Sequence, residues 1–344
     1  MPVADRNRTR NRKNRVTAKD VAERAGVGAM TVSRALRAPA SVSEKLRQKI
    51  DAAVAELGYV PNRLAGGLAS SRTRTVPVLV PSLSNAVFPD IVEGISEVLQ
   101  DRDLQILLGN THYSLADEEK LVSVYLSWSP DAFILTGVEH SEQTRRMLTT
   151  ANIPVVEIVD LADDPIDMSV GLSHVGAGRE MGRYLLSQGY RRIAFVGSQM
   201  DRDMRSAKRA QGLGVALKEA GIEPGPVVSL AHPSTVRAGG ESVSALLAEA
   251  PDIDAVFFAN DDLAVGALLA CQRRGIDVPG TLAIAGFNGL EFSGEVLPRL
   301  TTVRTPRFDI GRRAAELIVA RLGGEEPQNR RINMDFELLK RESA

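Results

Sequence analysis

The sequence predicts a small all-α segment with a helix-turn-helix, followed by a larger α/β body built on parallel sheets. Residues 16–63 read as a short helix, a glycine turn, a second short helix and a longer third helix. Beyond Thr75, short apolar runs alternate with amphipathic helical stretches, which is typical of parallel strands covered by helices. The 344 residues are enough for two or three domains, and the 44% hydrophobic content is enough for a large buried core.

Capping residues delimit the predicted helices of the first segment. Thr17 can cap the first helix, and Asp20 three residues later completes a capping box. Gly26 is expected to end this helix, because a residue without a side chain tolerates the left-handed conformation of a C-terminal cap. Ser43 is expected to cap the third helix, which Gly58 ends in the same way.

The second helix carries the predicted DNA-reading face. It is expected to run from about Ala29 to Arg37, with Val32 and Leu36 spaced to face the core. The opposite face then points outward, where a helix of this kind enters the DNA major groove. The candidate DNA-binding residues in this part of the chain are Thr17, Ala29, Met30, Thr31, Ser33, Arg34 and Ser43.

This segment resembles the DNA-binding headpiece of the lactose-repressor family of bacterial transcription regulators. The matching pieces are VTAKDVAERAGV, TVSRAL, VS-x-x-L-R-x-K-I and ELGYVPNR, in the order and spacing of the family. The resemblance implies that Ala29 and Met30 occupy positions that discriminate operators. Both are apolar and suit thymine methyls, so Arg34 is the candidate for a guanine or phosphate contact. A three-helix bundle without a DNA role is the alternative.

The charge distribution agrees with a headpiece that meets phosphates. Up to Thr75 there are sixteen Lys and Arg against six Asp and Glu, and beyond it 26 against 37, although the whole chain carries a net −1. A basic headpiece attracts DNA phosphates, whereas an acidic body does not. Residues 1–15 are predicted to be a basic disordered arm that adds non-specific affinity; a plain solvated tail is the alternative.

Residues 61–75, PNRLAGGLASSRTRT, are predicted to form a hinge between the headpiece of 16–60 and a core of 76–344. In the family this hinge folds into a short helix when two subunits lie on an operator, and a leucine wedges into the minor groove. The matching residues are Asn62, Arg63 and Leu68. The two adjacent glycines depart from the family and raise the cost of helix formation. A plain flexible linker is the alternative.

Seven strands and four helices are predicted in the body. The strands are Val76–Val80, Gln105–Leu108, Ala132–Leu135, Val155–Ile158, Arg192–Val196, Ala255–Ala259 and Leu282–Ala285. The helices are Phe88–Gln100, Gly176–Gln188, Ala207–Ala220 and Asp261–Arg274. Pro77 lacks a backbone donor, so the first strand is expected to be irregular there or to begin later.

The body resembles the periplasmic-binding-protein-like core of the same family. The matching pieces are PSLSNAVFPDIVEGI, LLSQGYRRIAFVG, FFANDDLAVGALLA and AIAGFNGLEFSGEVLPRLTTV. The resemblance implies an effector-binding and dimerisation core of two subdomains with three crossings between them. The first is expected to comprise about residues 76–173 plus 303–330, and the second about residues 174–302 plus the C-terminal segment. Ligands in such folds lie in the cleft, at the carboxyl ends of the strands.

The same resemblance implies a set of effector-binding residues in loops that follow strands. Arg209 stands three residues before Gly212, where the family carries its effector-binding arginine, and Phe88 matches an aromatic that packs on the effector. The candidates are Ser82, Ser84, Asn85, Phe88, Thr136, Glu157, Arg209, Asn260 and Asn288, with Glu139, His140 and Asp160 as weaker ones. Asn260 can also cap a helix. His140 and His174 are interpreted as structural histidines.

Asn288 and Arg209 together favour an acidic effector. Many relatives carry an acidic residue at the position of Asn288, where an amide does not repel an anion, and Arg209 can pair with a carboxylate or phosphate. SLSNAVFPDIVEGI, NDDLAVGALLACQRRGIDVP and LTTVRTPR resemble the gluconate-utilisation repressors most. The implied effector is gluconate, 6-phosphogluconate or a ketogluconate. A corepressor-dependent regulator responding to a neutral sugar or purine, and a sugar-binding protein without a DNA role, are the alternatives.

The remaining expectations concern partners and chemistry. One headpiece reads only a half-site, so a homodimer on a pseudo-palindromic operator is expected. The sequence has no leucine heptad tail, so a tetramer is not expected.

No signal peptide or membrane span is evident, which predicts a bacterial cytoplasmic protein associated with the nucleoid when on DNA. The single Cys271 excludes an internal disulfide. No catalytic set, metal site or cofactor motif is found, so an enzyme is not predicted.

Overall fold

The computed structural model describes residues 16–60 and 73–344. The chain divides into two compact units, one ending at Thr73 and the other beginning at Arg74. The basic arm of 1–15 and the hinge residues Asn62, Arg63 and Leu68 lie outside the described residues, so the roles predicted for them stay predictions.

The first unit is the three-helix headpiece that the sequence predicts. Its helices are α1 (Ala18–Ala25), α2 (Ala29–Arg37) and α3 (Glu44–Leu57), with a 3-10 turn at Pro39–Ser41. Gly26 (φ 67°) and Gly58 (φ 61°) adopt the left-handed conformation that ends α1 and α3. Asp20 accepts the Thr17 backbone N–H at 2.7 Å, which closes the start of α1. The fully buried Val21, Val32 and Ile50 form its core.

The second unit contains two six-stranded sheets. In chain order the strands are β1 (Thr75–Val80), β2 (Gln105–Asn110), β3 (Phe133–Thr136), β4 (Val155–Asp160), β5 (Met168–Leu172), β6 (Ile193–Ser198), β7 (Val227–Leu230), β8 (Ala255–Phe258), β9 (Ala283–Asn288), β10 (Thr301–Arg304), β11 (Arg331–Asn333) and β12 (Glu337–Leu339). The first sheet has the order β11-β5-β4-β3-β1-β2, and the second β12-β10-β9-β8-β6-β7. Only the β10–β12 pair is antiparallel among these strands.

Eight α-helices cover these sheets within the described residues. They are α4 (Val87–Gln100), α5 (Leu115–Leu126), α6 (Glu142–Ala151), α7 (His174–Ser187), α8 (Met204–Glu219), α9 (Val236–Glu249), α10 (Asp261–Arg274) and α11 (Arg307–Leu322), with a 3-10 turn at Glu291–Gly294. Because helices cover both faces, central strands such as β4, β6 and β9 are buried along their whole length. In the described part of the chain, no helix is both long and apolar enough to span a membrane.

The α/β prediction is confirmed, with one correction. β10 pairs with β9 through Arg304, and β11 pairs with β5 in the first sheet, so the chain leaves the second sheet after Arg304 and returns after Asn333. These crossings lie within about three residues of the approximate subdomain boundaries of 303 and 330. β1 is continuous through Pro77, because pairing with β3 begins only at Val78, beyond the missing donor.

Glycines set the distance between α7 and α8, the pair of helices that carries Arg209. A Cβ atom on Gly178 of α7 would stand 2.1 Å from the Arg209 carbonyl oxygen, and one on Gly212 of α8 would stand 2.1 Å from the Val175 carbonyl oxygen. Real Cβ atoms do not approach oxygen so closely. Glycine at both positions therefore permits backbone contact between the two helices.

The substitution Gly178→Ala is expected to destabilise the protein by about 1–3 kcal/mol, because α7 and α8 must move apart to admit the methyl group. Gly214→Ala is the matched control on α8, since a Cβ atom there meets nothing within 4 Å. Alanine is the better helix former, so this control is expected to be neutral or slightly stabilising. Urea unfolding of both variants measures the difference; equal stability would contradict the proposed close contact.

Candidate functional site

The headpiece exposes one face of α2. Met30 is 81% exposed, and Ser33 and Arg34 are also exposed. Thr31 is half-buried, and Ala29 packs partly against the headpiece core, so Ala29 is less available for contacts than expected. The outer face of α2 therefore presents a large apolar side chain and a cation, as the sequence predicts.

Thr17 and Ser43, the residues predicted to cap α1 and α3, differ in the hydrogen bonds that their hydroxyl groups make. The Thr17 hydroxyl donates a 2.7 Å hydrogen bond to Asp20. Ser43 stands at the start of α3 and is exposed, but its hydroxyl accepts no hydrogen bond from the first turn of the helix. Ser43 is therefore the N-cap residue of α3, as predicted, but its hydroxyl does not supply the capping hydrogen bond.

A cavity of about 610 Å³ lies where loops from both sheets of the second unit meet. The loops follow the carboxyl ends of strands such as β1, β2, β6, β8 and β9, which is where ligands bind in open α/β sheets. Seven of the nine predicted effector-binding residues line it: Ser82, Ser84, Asn85, Phe88, Arg209, Asn260 and Asn288.

Thr136 and Glu157 do not line the cavity. Glu157 is fully buried in β4, where it accepts the Ile166 backbone N–H at 2.6 Å and lies 3.4 Å from Nε2 of His140. Nδ1 of His140 in turn lies 2.8 Å from the carboxylate of Glu118. The weaker candidate His140 therefore belongs to a buried carboxylate–imidazole–carboxylate network, and Glu157 lies in that network rather than in the cavity wall.

Glu139 and Asp160, the two other weaker candidates, form ion pairs between the two halves of the second unit. Lys208 of α8 donates to Asp160 at the end of β4 and lies 2.6 Å from Glu139, which follows β3. Asp160 is buried, so this ion pair is shielded from solvent on one side. Glu139 and Asp160 therefore connect α8 to the first sheet and do not face the cavity.

Arg209 is the buried cation of the cavity. Its side chain is 6% exposed, its Nη1 lies 3.0 Å from Nδ1 of His174, and its Cζ lies 4.3 Å from the ring centre of Phe287. The nearest carboxylate, Asp203, is 3.9 Å from Nη2. Burial, against the attraction of Asp203, lowers the pKa of Arg209 to about 10. The protein therefore holds a desolvated guanidinium with little compensation.

Asn260 and Asn288, two of the three predicted asparagines, are held by hydrogen bonds to other segments of the second unit. Asn260 accepts the Leu263 N–H at 3.1 Å at the start of α10, and its amide donates to Ser234 at 2.7 Å. Capping and cavity lining are therefore combined at Asn260. Asn288 has a φ of 112°, and its carbonyl accepts a hydrogen bond from Arg307. Backbones in this region persist only where the surroundings hold them.

The structure adds residues that the sequence analysis did not assign to the site. They are Asn110, His112, Tyr113, His174, Gln199, Arg202, Asp203, Arg205, Ser234, Asp262, Phe287 and Arg307. Several follow β2 and β6, two strands that the sequence predicts, so their position after a strand was a usable signal. His174 and Arg307 begin helices, and only the tertiary fold brings them to the cavity.

The charged side chains that line the cavity are mostly cationic. Four are arginines, at positions 202, 205, 209 and 307, and two are carboxylates, Asp203 and Asp262. Arg205 lies 3.3 Å from Asp203 and stacks 5.8 Å above the ring of Tyr113. A concave wall with an excess of positive charge attracts anions.

A helix-turn-helix headpiece joined to an α/β unit of two sheets defines a class of DNA-binding transcriptional regulators. Residues 17–62 match the model for bacterial regulatory proteins of the lacI family, and residues 183–344 match that for a periplasmic binding protein-like domain. The chain belongs to the lacI family, which confirms the predicted resemblance.

Similar proteins extend over almost the whole chain. The HTH-type transcriptional regulator GntR of Pseudomonas aeruginosa is 46% identical over 342 residues, covering 98% of this chain and 99% of the relative. A crystal structure of a LacI-family regulator from Silicibacter pomeroyi has a TM-score of 0.91 and 43% identity, covering 95% and 99%. The lac repressor dimer bound to operator and an anti-inducer has a TM-score of 0.80 and 25% identity, covering 96% and 99%.

The stability of the protein is expected to fall as the pH rises from about 6.5 to about 9, because of His140. Burial would lower the pKa of His140, but hydrogen bonds to Glu118 and Glu157 outweigh it and raise the pKa to about 9. The folded state therefore binds the proton more tightly than the unfolded state. The resulting stability, roughly 3 kcal/mol, is complete below pH 6.5 and is lost as the pH passes through 9.

Urea unfolding at several pH values in this window tests the assignment. His140→Gln is expected to remove the decline with pH, whereas His232→Gln, at an exposed histidine, is expected to keep it. An unchanged pH dependence in His140→Gln would show that other groups cause the decline.

Proposed function

We propose that this regulator is a repressor whose affinity for its operator is controlled by a small sugar acid in the cavity. Gluconate, 6-phosphogluconate and a ketogluconate are the proposed effectors. The observation that carries the proposal is the buried Arg209, whose nearest carboxylate is 3.9 Å away, in a cavity lined mainly by cationic charged groups. A carboxylate or phosphate that pairs with this guanidinium supplies the missing charge.

The other lining groups suit a polyhydroxylated chain. The amides of Asn260 and Asn288, and the hydroxyls of Ser82 and Ser84, offer donors and acceptors to sugar hydroxyls. Phe88 packs at the base of the first loop and offers an apolar surface to the carbon chain. A volume of about 610 Å³ is within the range of small-molecule sites. The cavity therefore fits a sugar acid in both size and chemistry.

The proposed coupling between effector and operator follows from where the cavity lies. An effector that contacts Ser82 and Arg209 together contacts loops of both sheets and favours one arrangement of the two halves. DNA favours the arrangement that suits the headpieces, so each ligand weakens the other by the same factor. We propose induction, in which the effector releases the operator.

A homodimer on a pseudo-palindromic operator is part of the proposal. One headpiece reads only a half-site, and protein two-fold symmetry requires a symmetric operator. The similarity to a lac repressor structure that is a dimer on its operator supports this arrangement.

Titration calorimetry with gluconate, 6-phosphogluconate and D-glucose tests the effector. At least one acid is expected to bind more tightly than glucose, and Arg209→Gln is expected to weaken it about 100-fold, the loss of a buried charged pair of roughly 3 kcal/mol. Arg192→Gln is the matched control, because Arg192 is exposed and lies outside the cavity. Tighter binding of glucose would overturn the acidic effector and favour a neutral-sugar regulator.

Arg34→Ala is expected to weaken binding to the operator by about 1–3 kcal/mol and to relax its base preference at one position, if Arg34 contacts guanine. Fluorescence anisotropy with a pseudo-palindrome selected from random DNA measures both effects. Arg24→Ala removes the same charge from an exposed arginine that pairs with Glu56, so it controls for net charge. Equal losses in the two variants would reduce the role of Arg34 to general electrostatics.

A further inference from the structure

His174 is the hydrogen-bond partner of the buried arginine. It is the first residue of α7, and its Nδ1 lies 3.0 Å from Nη1 of Arg209 on α8. The two side chains are 2% and 6% exposed. Gly178 allows α7 to touch the Arg209 backbone, so both groups are fixed by rigid helices rather than by loops.

The protonation state of His174 follows from its partner. A guanidinium carries only donors, so Nδ1 of His174 must accept the hydrogen bond with its lone pair. Burial, reinforced by the positive charge of Arg209, holds the pKa of His174 well below its usual value. The imidazole is therefore neutral, with its proton on Nε2.

Because His174 is neutral, it accepts a hydrogen bond from Arg209 without cancelling the positive charge of Arg209. A carboxylate in place of the imidazole would form an ion pair with Arg209 and cancel its charge. The actual carboxylate nearby, Asp203, is 3.9 Å from Arg209 and only 3.3 Å from Arg205, so one negative charge serves two guanidinium groups. Asp160 also attracts both guanidinium groups from farther away, but among the described residues no carboxylate lies closer to Arg209 than Asp203. Arg209 therefore has no close ion-pair partner in a buried wall of the cavity, which is costly until an anion arrives.

We propose that His174 is a positioning residue that holds Arg209 in place without neutralising it, and so reserves the charge of Arg209 for the anionic group of the effector. This inference rests on the proposed sugar-acid function, and it makes His174 the residue that sets the preference for an acid over a neutral sugar. The imidazole itself does not need to contact the effector.

The substitutions His174→Asn and His174→Asp separate the two roles, because the side chains have nearly the same shape and differ in charge. Asn offers a neutral oxygen close to the position of Nδ1 and is expected to keep the affinity for gluconate or 6-phosphogluconate within about threefold. Asp is expected to weaken it at least 50-fold, because it pairs with Arg209. The affinity for D-glucose, measured in parallel, is expected to differ little between the two variants.

Circular dichroism and thermal unfolding establish that both variants are folded. Equal loss of acid binding in folded His174→Asn and His174→Asp would reduce His174 to a structural residue and overturn the proposal. His174→Leu, which offers no acceptor, is expected to weaken acid binding about tenfold by releasing Arg209. Unchanged acid binding in His174→Leu would equally contradict the positioning role.

Nitrogen-15 spectra of the wild-type imidazoles give a readout that needs no effector. The chain has four histidines, so His174→Asn assigns the His174 signals by their disappearance. At pH 7 the Nδ1 signal is expected to be that of an unprotonated, hydrogen-bonded nitrogen; a protonated Nδ1 would overturn the proposal. If the wild-type protein binds neither acid, the proposed effector class fails, while this spectrum still decides the state of His174.

Discussion

The hydrogen bond between Arg209 and His174 is the interaction on which the cavity depends. A desolvated guanidinium is expensive, and this chain places it against an imidazole and the ring of Phe287 rather than against a carboxylate. Under the proposed function, the binding of an anion would recover the free energy that the ligand-free protein loses in this way. Such a cavity would discriminate between ligands by charge before shape, because a neutral sugar would leave the arginine without a charged partner.

Burial lowers the pKa of both His140 and His174, but the charges next to them shift the two pKa values in opposite directions. His140 lies between two carboxylates, and their hydrogen bonds overcome burial and raise its pKa to about 9. His174 lies against a cation, so burial and the cation act together and keep it neutral. The two residues show why the residue type alone does not assign a histidine. The charges of the neighbouring residues determine whether a histidine is protonated, and those neighbours are distant in the sequence.

Helices and strands could be predicted from the sequence where the residues that define them lie close together along the chain. α10 was predicted with both of its ends correct, because Asn260 caps it and Gly275 ends it in the left-handed conformation. β10 was missed, since the buried Thr301 and Thr302 give no apolar run in the sequence. Burial of those threonines is compensated by tertiary contacts, such as the hydrogen bond from Thr302 to Asp261.

The residues of the candidate site could likewise be predicted only where a sequence pattern fixes their position. Arg209 and Asn288 could be assigned from the family resemblance, because each has a fixed place relative to a strand or glycine. The position of Glu157 away from the cavity wall could not be foreseen, since β4 is buried on both faces and its pattern does not show which face each side chain takes. His174 was interpreted as a structural histidine, but it lines the cavity; its contact with Arg209 spans 35 residues and had no local signal.

The connection from cavity to headpiece is short along the chain. β1 begins at Thr75, the last residue of the segment predicted as the hinge, and its far end leads into the loop of Ser82 and Ser84 in the cavity wall. This strand is buried and paired on both sides, so it moves with its sheet rather than bending. Lys208 ties the opposite sheet's α8 to the same sheet through Asp160. Under the proposed function, a ligand that pairs with Arg209 would pull on α8 beside the ion pair of Lys208 and Asp160. The position of α8 relative to β1 is therefore the structural variable through which we propose that an effector acts on the segment predicted as the hinge.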